Sequence, residues 1–103
     1  MSAKPAPDLP GPEWSLYILE CGDGSYYTGI ACDVEERVRK HNAGKGAAYT
    51  RSHRPVRLVY REVCGDRSAA LVRECRVKAL TRELKGRLIA SATVKEEVQE
   101  VVP

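Results

Sequence analysis

Two tyrosines, Tyr17 and Tyr27, stand ten residues apart, and Gly29 follows the second at two residues. Eight residues past that glycine comes Arg37, and four further on comes His41. Glu74 is the only acid in a later helical stretch, 67–80. Phenol, guanidinium, imidazole and carboxylate are groups that can move a proton and hold a phosphate. The planar fork of Arg meets two phosphate oxygens at once, which Lys does not reproduce. A lone carboxylate suits Mg²⁺, which keeps several waters and takes only one or two protein carboxylates. A free phenol, with pKa ~10, is ionised to only about one part in a thousand at pH 7, so a phenolate base needs positive charge beside it. Each residue also has a plainer role open to it. The tyrosines can be half-buried strand residues, Arg37 and His41 a solvent-facing helical pair, and Glu74 an i,i+4 partner of Lys78 worth only ~0.3–0.5 kcal/mol.

What positions these groups follows from the neighbouring sequence. SLYILE, 15–20, and YYTGI, 26–30, are short β-prone runs around Gly22-Asp23-Gly24, which reads as a hairpin. A three-residue loop pairs Cys21 with Ser25, sets Tyr17 opposite Gly29, and puts Tyr17 and Tyr27 on one face. A two- or four-residue loop puts them on opposite faces, because side chains alternate. Asp33 is an N-cap, with Glu35 and Glu36 in the first turn of a helix that ends near Gly44. Val34 and Val38 face the core, with Arg37 and His41 beside them on one face. GKGAAYTRSHRP, 44–55, reads as a basic loop. RLVYREVC, 57–64, reads as a third strand. Asp66 caps a second helix whose apolar face draws on Ala69, Val72, Cys75, Val77, Ala79 and Leu80. Thr81 caps a third, short helix to about Ala90. The expected fold is α+β: a small three-stranded, mainly antiparallel sheet flanked by helices, in the order β-β-α-β-α-α.

The chain has 103 residues, enough for one domain. Residues 1–13 hold four of the six prolines and read as a flexible leader, 14–90 as the domain, and 91–103 as an acidic tail that is a weak helix or disordered. No apolar run approaches a membrane span, and the first residues do not resemble a secretory signal, so a cytoplasmic protein is expected. Cys21, Cys32, Cys64 and Cys75 form no CxxC knuckle and read as buried thiols. No P-loop or dinucleotide fingerprint is present. Charge is more telling. The net is +3, yet from Arg37 to Arg61 there are eight basic residues and no acid. Such a block suits a polyanion.

Taken together, these motifs resemble the GIY-YIG nuclease family in order and spacing. The family's first motif stands here as Ser15-Leu16-Tyr17 and its second as Tyr27-Thr28-Gly29. Arg37…His41-Asn42, Gly44-Lys45-Gly46, Tyr49-Thr50-Arg51, Arg54-Pro55, Leu58-Val59-Tyr60 and Ala70…Arg73-Glu74…Lys78 are similar to the small stand-alone bacterial members. The first motif lacks its Gly. An Asn carried by many members downstream of the Glu is replaced by Lys85-Gly86. The resemblance implies one Mg²⁺ or Mn²⁺ held by Glu74. It implies that Tyr17 acts as, or relays to, the general base, while Tyr27 holds and polarises the water or a phosphate oxygen. Arg37 would bind the scissile phosphate, and His41 would hydrogen-bond Tyr17 and accept its proton.

The reading is a metal-dependent nuclease hydrolysing phosphodiester bonds, with DNA as the expected partner, little sequence specificity, and DNA repair or processing as its setting. Lys45, Arg51 and Arg54 would grip flanking phosphates, with Tyr49 as a stacking or active-site group. The alternative is a non-catalytic nucleic-acid-binding module using the same fold with a partner protein. A weaker reading is a subunit that docks a protein partner through its acidic tail.

Overall fold

The computed structural model describes residues 12–101, with side chains from 12 to 92. Of the leader 1–13, only Pro12 and Glu13 fall among these, and the acidic side chains of the tail lie outside them. Strand β1, Trp14–Glu20, and strand β2, Tyr26–Ala31, form the expected hairpin. Its loop closes through Cys21 N–H to Ser25 O at 2.8 Å and Gly24 N–H to Cys21 O at 2.9 Å. Gly24 takes φ +86°, the left-handed conformation that such a loop requires at its end. The odd loop fixes the register: Tyr17 opposes Gly29 and Leu19 opposes Tyr27. Both tyrosines therefore share a face.

Helix α1, Val34–Asn42, starts on Asp33, whose carboxylate accepts from Glu36 N–H at 3.0 Å. A short helix α2, Ala48–Ser52, then occupies the segment expected to be loop. The Thr50 hydroxyl bonds back to Ala47 O at 2.9 Å, closing that turn. Asn42 clamps the exit, accepting from Val56 N–H at 2.8 Å and donating to Val56 O at 2.9 Å. Strand β3, Arg57–Gly65, pairs antiparallel with β1, giving a sheet of order β2-β1-β3. Helix α3, Arg67–Lys78, is capped by Asp66 through Ala69 N–H at 2.8 Å. Helix α4, Arg82–Val101, runs past the expected end near Ala90, because no Gly or Pro interrupts 91–101.

The central strand is buried on both faces. On one, Tyr17, Leu19 and Cys21 pack with Ala31, Val34 and Val56, and with Val38 of α1. On the other, Leu16 and Ile18 pack with Val77 of α3 and with Leu88 and Ile89 of α4. The broad apolar face expected on the second helix is corrected here. Only Ala70 and Val77 of α3 are buried, while Val72 is 57% exposed and Cys75 is also exposed. The row that faces the sheet is Ala70, Glu74, Val77, spaced four and three residues apart. That row places a carboxylate on the packed side of the helix. All four cysteines are free and Cys21 is buried, as expected, but Cys64 is only half-buried and Cys32 and Cys75 are exposed, which corrects the reading of four buried thiols.

Candidate active site

A buried chain of polar side chains lies where β1 meets the end of α1. Tyr17 and His41 are both buried, and Tyr17 Oη lies 3.0 Å from His41 Nε2. His41 Nδ1 lies 2.7 Å from Thr50 Oγ1, and Thr50 is fully buried. The direction of this chain follows from counting protons. Thr50 has one hydroxyl hydrogen and donates it to Ala47 O. Its oxygen can then only accept from His41, so the imidazole proton sits on Nδ1. Nε2 is left as an acceptor, and the Tyr17 phenol donates to it.

Two glycines make room for the pair. A Cβ on Gly29 would lie 2.5 Å from Tyr17 Oη, and one on Gly46 would lie 2.2 Å from His41 Nδ1. Gly29, directly across from Tyr17, is thus the reason the second motif needs glycine. Tyr27 meets His41 edge-on, with centroids 5.2 Å apart. Tyr49 runs nearly parallel to Tyr27 at 6.4 Å and stacks on His53 at 4.1 Å. The Tyr49 hydroxyl donates to Ser25 Oγ at 2.6 Å, which ties α2 to the hairpin tip.

Burial, with further help from Tyr27 and Glu74, pushes the Tyr17 phenol well above its ordinary range against the opposing pull of Arg37. The resting group is a neutral phenol, because loss of solvation outweighs the cation. Burial and Arg37 together hold the His41 pKa below its ordinary value, so the imidazole is neutral at pH 7. Arg37 is exposed and has no carboxylate partner among the described residues.

Glu74 approaches from α3, on the other face of the sheet. It makes no direct bond to Tyr17, although its charge reaches that phenol. Its side chain is 18% exposed and pairs with Lys78 Nζ at 3.3 Å. Among the described residues no group of three or more His, Cys, Asp or Glu could hold a metal. The donor chemistry still fits a hard, hydrated cation on one carboxylate. Thr28 Oγ1, on the same sheet face, is buried with no hydrogen-bond partner in the described structure.

The basic block is more compensated than its sequence implies. Arg39 pairs with Glu36 at 2.6 Å, Arg57 with Glu20 at 2.5 Å, and Arg61 with Glu35. Arg54 donates to Arg51 O at 3.2 Å and Asn42 O at 3.3 Å, so it braces its own loop. Arg37, Lys40, Lys45 and Arg51 remain without a carboxylate among the described residues. Thr50 and Gly46 are the residues that motif reading missed as parts of the site. In the sequence they stand only inside the Gly44-Lys45-Gly46 and Tyr49-Thr50-Arg51 stretches of the resemblance, with no role attached.

The description "GIY-YIG catalytic domain" belongs to the family model that matches residues 13–87. The chain is 45% identical over 93 residues to the UPF0213 protein DP2720 of Desulfotalea psychrophila, covering 89% of this chain and 84% of that relative. The solution structure of the UPF0213 protein BH0048 from Bacillus halodurans matches with a TM-score of 0.50 at 45% identity, covering 76% of this chain and 83% of that one. That of EF2693 from E. faecalis matches with a TM-score of 0.57 at 34% identity, covering 82% and 91%.

Proposed function

Because this chain belongs to the GIY-YIG catalytic-domain family, we propose that it is a metal-dependent nuclease that hydrolyses phosphodiester bonds, with DNA as its substrate. The observation that carries this reading is the buried hydrogen-bond chain from Tyr17 through His41 to Thr50. Ordering three polar side chains away from water is costly unless each is satisfied. Here every proton in the chain has one direction to move.

Tyr17 already donates its proton to Nε2, so its oxygen keeps a lone pair for a second partner. As a water attacks phosphorus, its proton passes to the Tyr17 oxygen and the phenol proton passes to His41 Nε2. Phosphorus gains the water oxygen and loses the bond to the leaving sugar oxygen, which takes a proton from solvent. The imidazolium so formed has both N–H groups satisfied, one by Thr50 and one by Tyr17. The phenol never needs to exist as a free phenolate, which matches its raised pKa.

Arg37 stands at the rim with its guanidinium unpaired by any described carboxylate. It would hold the scissile phosphate and stabilise charge developing on its oxygens. The Tyr27 hydroxyl has no hydrogen-bond partner among the described residues and is available to the water or a phosphate oxygen. Glu74 would hold one Mg²⁺ or Mn²⁺, which when bound polarises a phosphoryl oxygen. Lys45 and Arg51, with Arg54 in part, would meet flanking phosphates without reading sequence. A cytoplasmic setting and a role in DNA repair or processing complete the proposal.

The Glu74–Lys78 ion pair favours a second reading, a nucleic-acid-binding module in which that carboxylate is structural. The two separate cleanly in one assay. Cleavage of labelled nucleic acid that EDTA stops supports the nuclease. Retention of the same probe without product, with or without metal, supports the binding module.

A further inference from the structure

Between the hairpin tip and the first turn of α4 is a notch of about 220 Å³, lined by Ser25, Tyr26, Arg82 and Lys85. Its walls carry two cations and no carboxylate. Arg82 and Lys85 are three residues apart and project from one side of the helix. Arg82 is oriented in advance: its Nη2 donates to Gly24 O at 2.8 Å, and its guanidinium carbon lies 5.6 Å from the centre of the Tyr26 ring. Lys85 is half-buried. The acids nearby in sequence are turned elsewhere. Glu83 takes Arg87 at 3.3 Å. Asp23 accepts from Ser25 at 2.6 Å and faces His53 at 3.5 Å. Neither Arg82 nor Lys85 has a carboxylate partner among the described residues, and the Tyr26 hydroxyl has no hydrogen-bond partner there.

The notch therefore offers the unused N–H groups of Arg82, the Lys85 ammonium and the Tyr26 hydroxyl. All are donors, and two are charged, which is the chemistry that receives a phosphate. Its position ties it to the site. Tyr26 adjoins Tyr27 on β2, the edge strand of the sheet, but points to the opposite face, the side from which Glu74 approaches, and Ser25 receives the Tyr49 hydroxyl. We propose that this notch is a phosphate subsite, holding a backbone phosphate of a polynucleotide across the β2 edge from the one processed at Tyr17 and Arg37. The identity of the polymer rests on the nuclease reading. The local chemistry of the notch does not.

The test is binding to a labelled oligonucleotide in EDTA over a range of salt, for the wild type, Lys85→Gln, and Arg82→Gln with Lys85→Gln. Each phosphate contact contributes about 0.7 to the log–log salt slope on a single strand and about 0.9 on a duplex. The double variant should flatten the slope by one such increment, because one phosphate loses its partners, and Lys85→Gln alone by part of it. Single-turnover cleavage at saturating protein should be retained. Lys85→Gln disturbs no side-chain bond in the structure, so it guards against an effect of Arg82 on the hairpin. Unchanged slopes in variants that melt like the wild type would overturn the subsite while leaving the nuclease standing. A wild type that binds no oligonucleotide at any salt would overturn both.

Discussion

Thr50→Val removes one oxygen from the buried chain and keeps the side-chain shape. That oxygen lies 2.7 Å from His41 Nδ1 and 2.9 Å from Ala47 O, in a fully buried side chain. Without it, the Nδ1 proton has no acceptor, and an unsatisfied buried donor costs about 1–3 kcal/mol. The imidazole has one way to reduce that cost, by moving its proton to Nε2. The 3.0 Å bond to Tyr17 then reverses, with Nε2–H donating to the phenol oxygen. The phenol proton loses its acceptor, and the relay stops. Because the tautomer change recovers part of the penalty, the expected loss of stability is about 1–2 kcal/mol, read as roughly 4–8 °C of Tm per kcal/mol in a domain of this size. Cleavage should fall by about 10²–10⁴, the usual contribution of general acid–base catalysis. Nitrogen-15 NMR of His41 reads the tautomer directly, independent of any substrate. Wild type should show a protonated Nδ1, Thr50→Val a protonated Nε2, and Thr50→Ser should restore both tautomer and cleavage. If Thr50→Val keeps the Nδ1 proton and cleaves at the wild-type rate, Thr50 does not set the tautomer.

Arg37→Gln removes a cation that helps hold the His41 pKa down, so the His41 titration midpoint should move to higher pH by NMR; an unmoved midpoint would show that Arg37 does not act on it. The same depressed group sets the pH response. Cleavage and the stability from neutral His41 should be full above about pH 6.5, the ordinary His value, and be lost as pH falls through the folded pKa; a decline beginning on the alkaline side would contradict this. Gly46→Ala forces a carbon to 2.2 Å from Nδ1, where about 3.5 Å is comfortable, so denaturant unfolding should report a loss of about 1–3 kcal/mol. A wild-type unfolding curve would mean that the loop yields freely. Glu74→Gln should abolish EDTA-sensitive cleavage with little change in Tm, because the Lys78 end of its helical pair is 55% exposed and such pairs contribute only ~0.3–0.5 kcal/mol. Wild-type cleavage by this variant would show that Glu74 holds no essential cation.

The shared face of Tyr17 and Tyr27 was readable in advance because it depends on parity. The loop Gly22-Asp23-Gly24 is odd, and side chains alternate. The caps at Asp33 and Asp66 were readable too, since capping is a local bond between a side chain and an N–H three residues on. What escaped depends on distant partners. Hydrophobicity favoured Val72 and Cys75 for the core side of α3, but the row that meets the sheet contains Glu74. The block from Arg37 to Arg61 looked uncompensated because the carboxylates that meet Arg57 and Arg61, Glu20 and Glu35, come from other elements. Thr50 and Gly46 acquire their roles only when 44–52 folds over the end of α1. The raised phenol pKa was likewise out of reach of composition, since it turns on how deeply Tyr17 is buried.

The most direct measurement is cleavage by purified protein of a labelled panel of single-stranded, duplex and branched DNA and RNA, with Mg²⁺ or Mn²⁺, alongside Tyr17→Phe. That substitution removes only the hydroxyl that donates to His41. Product from the wild type, stopped by EDTA and missing from a folded Tyr17→Phe, is the predicted result. No product from the wild type on any substrate, or equal product from Tyr17→Phe, would contradict a nuclease that works through the Tyr17–His41 relay.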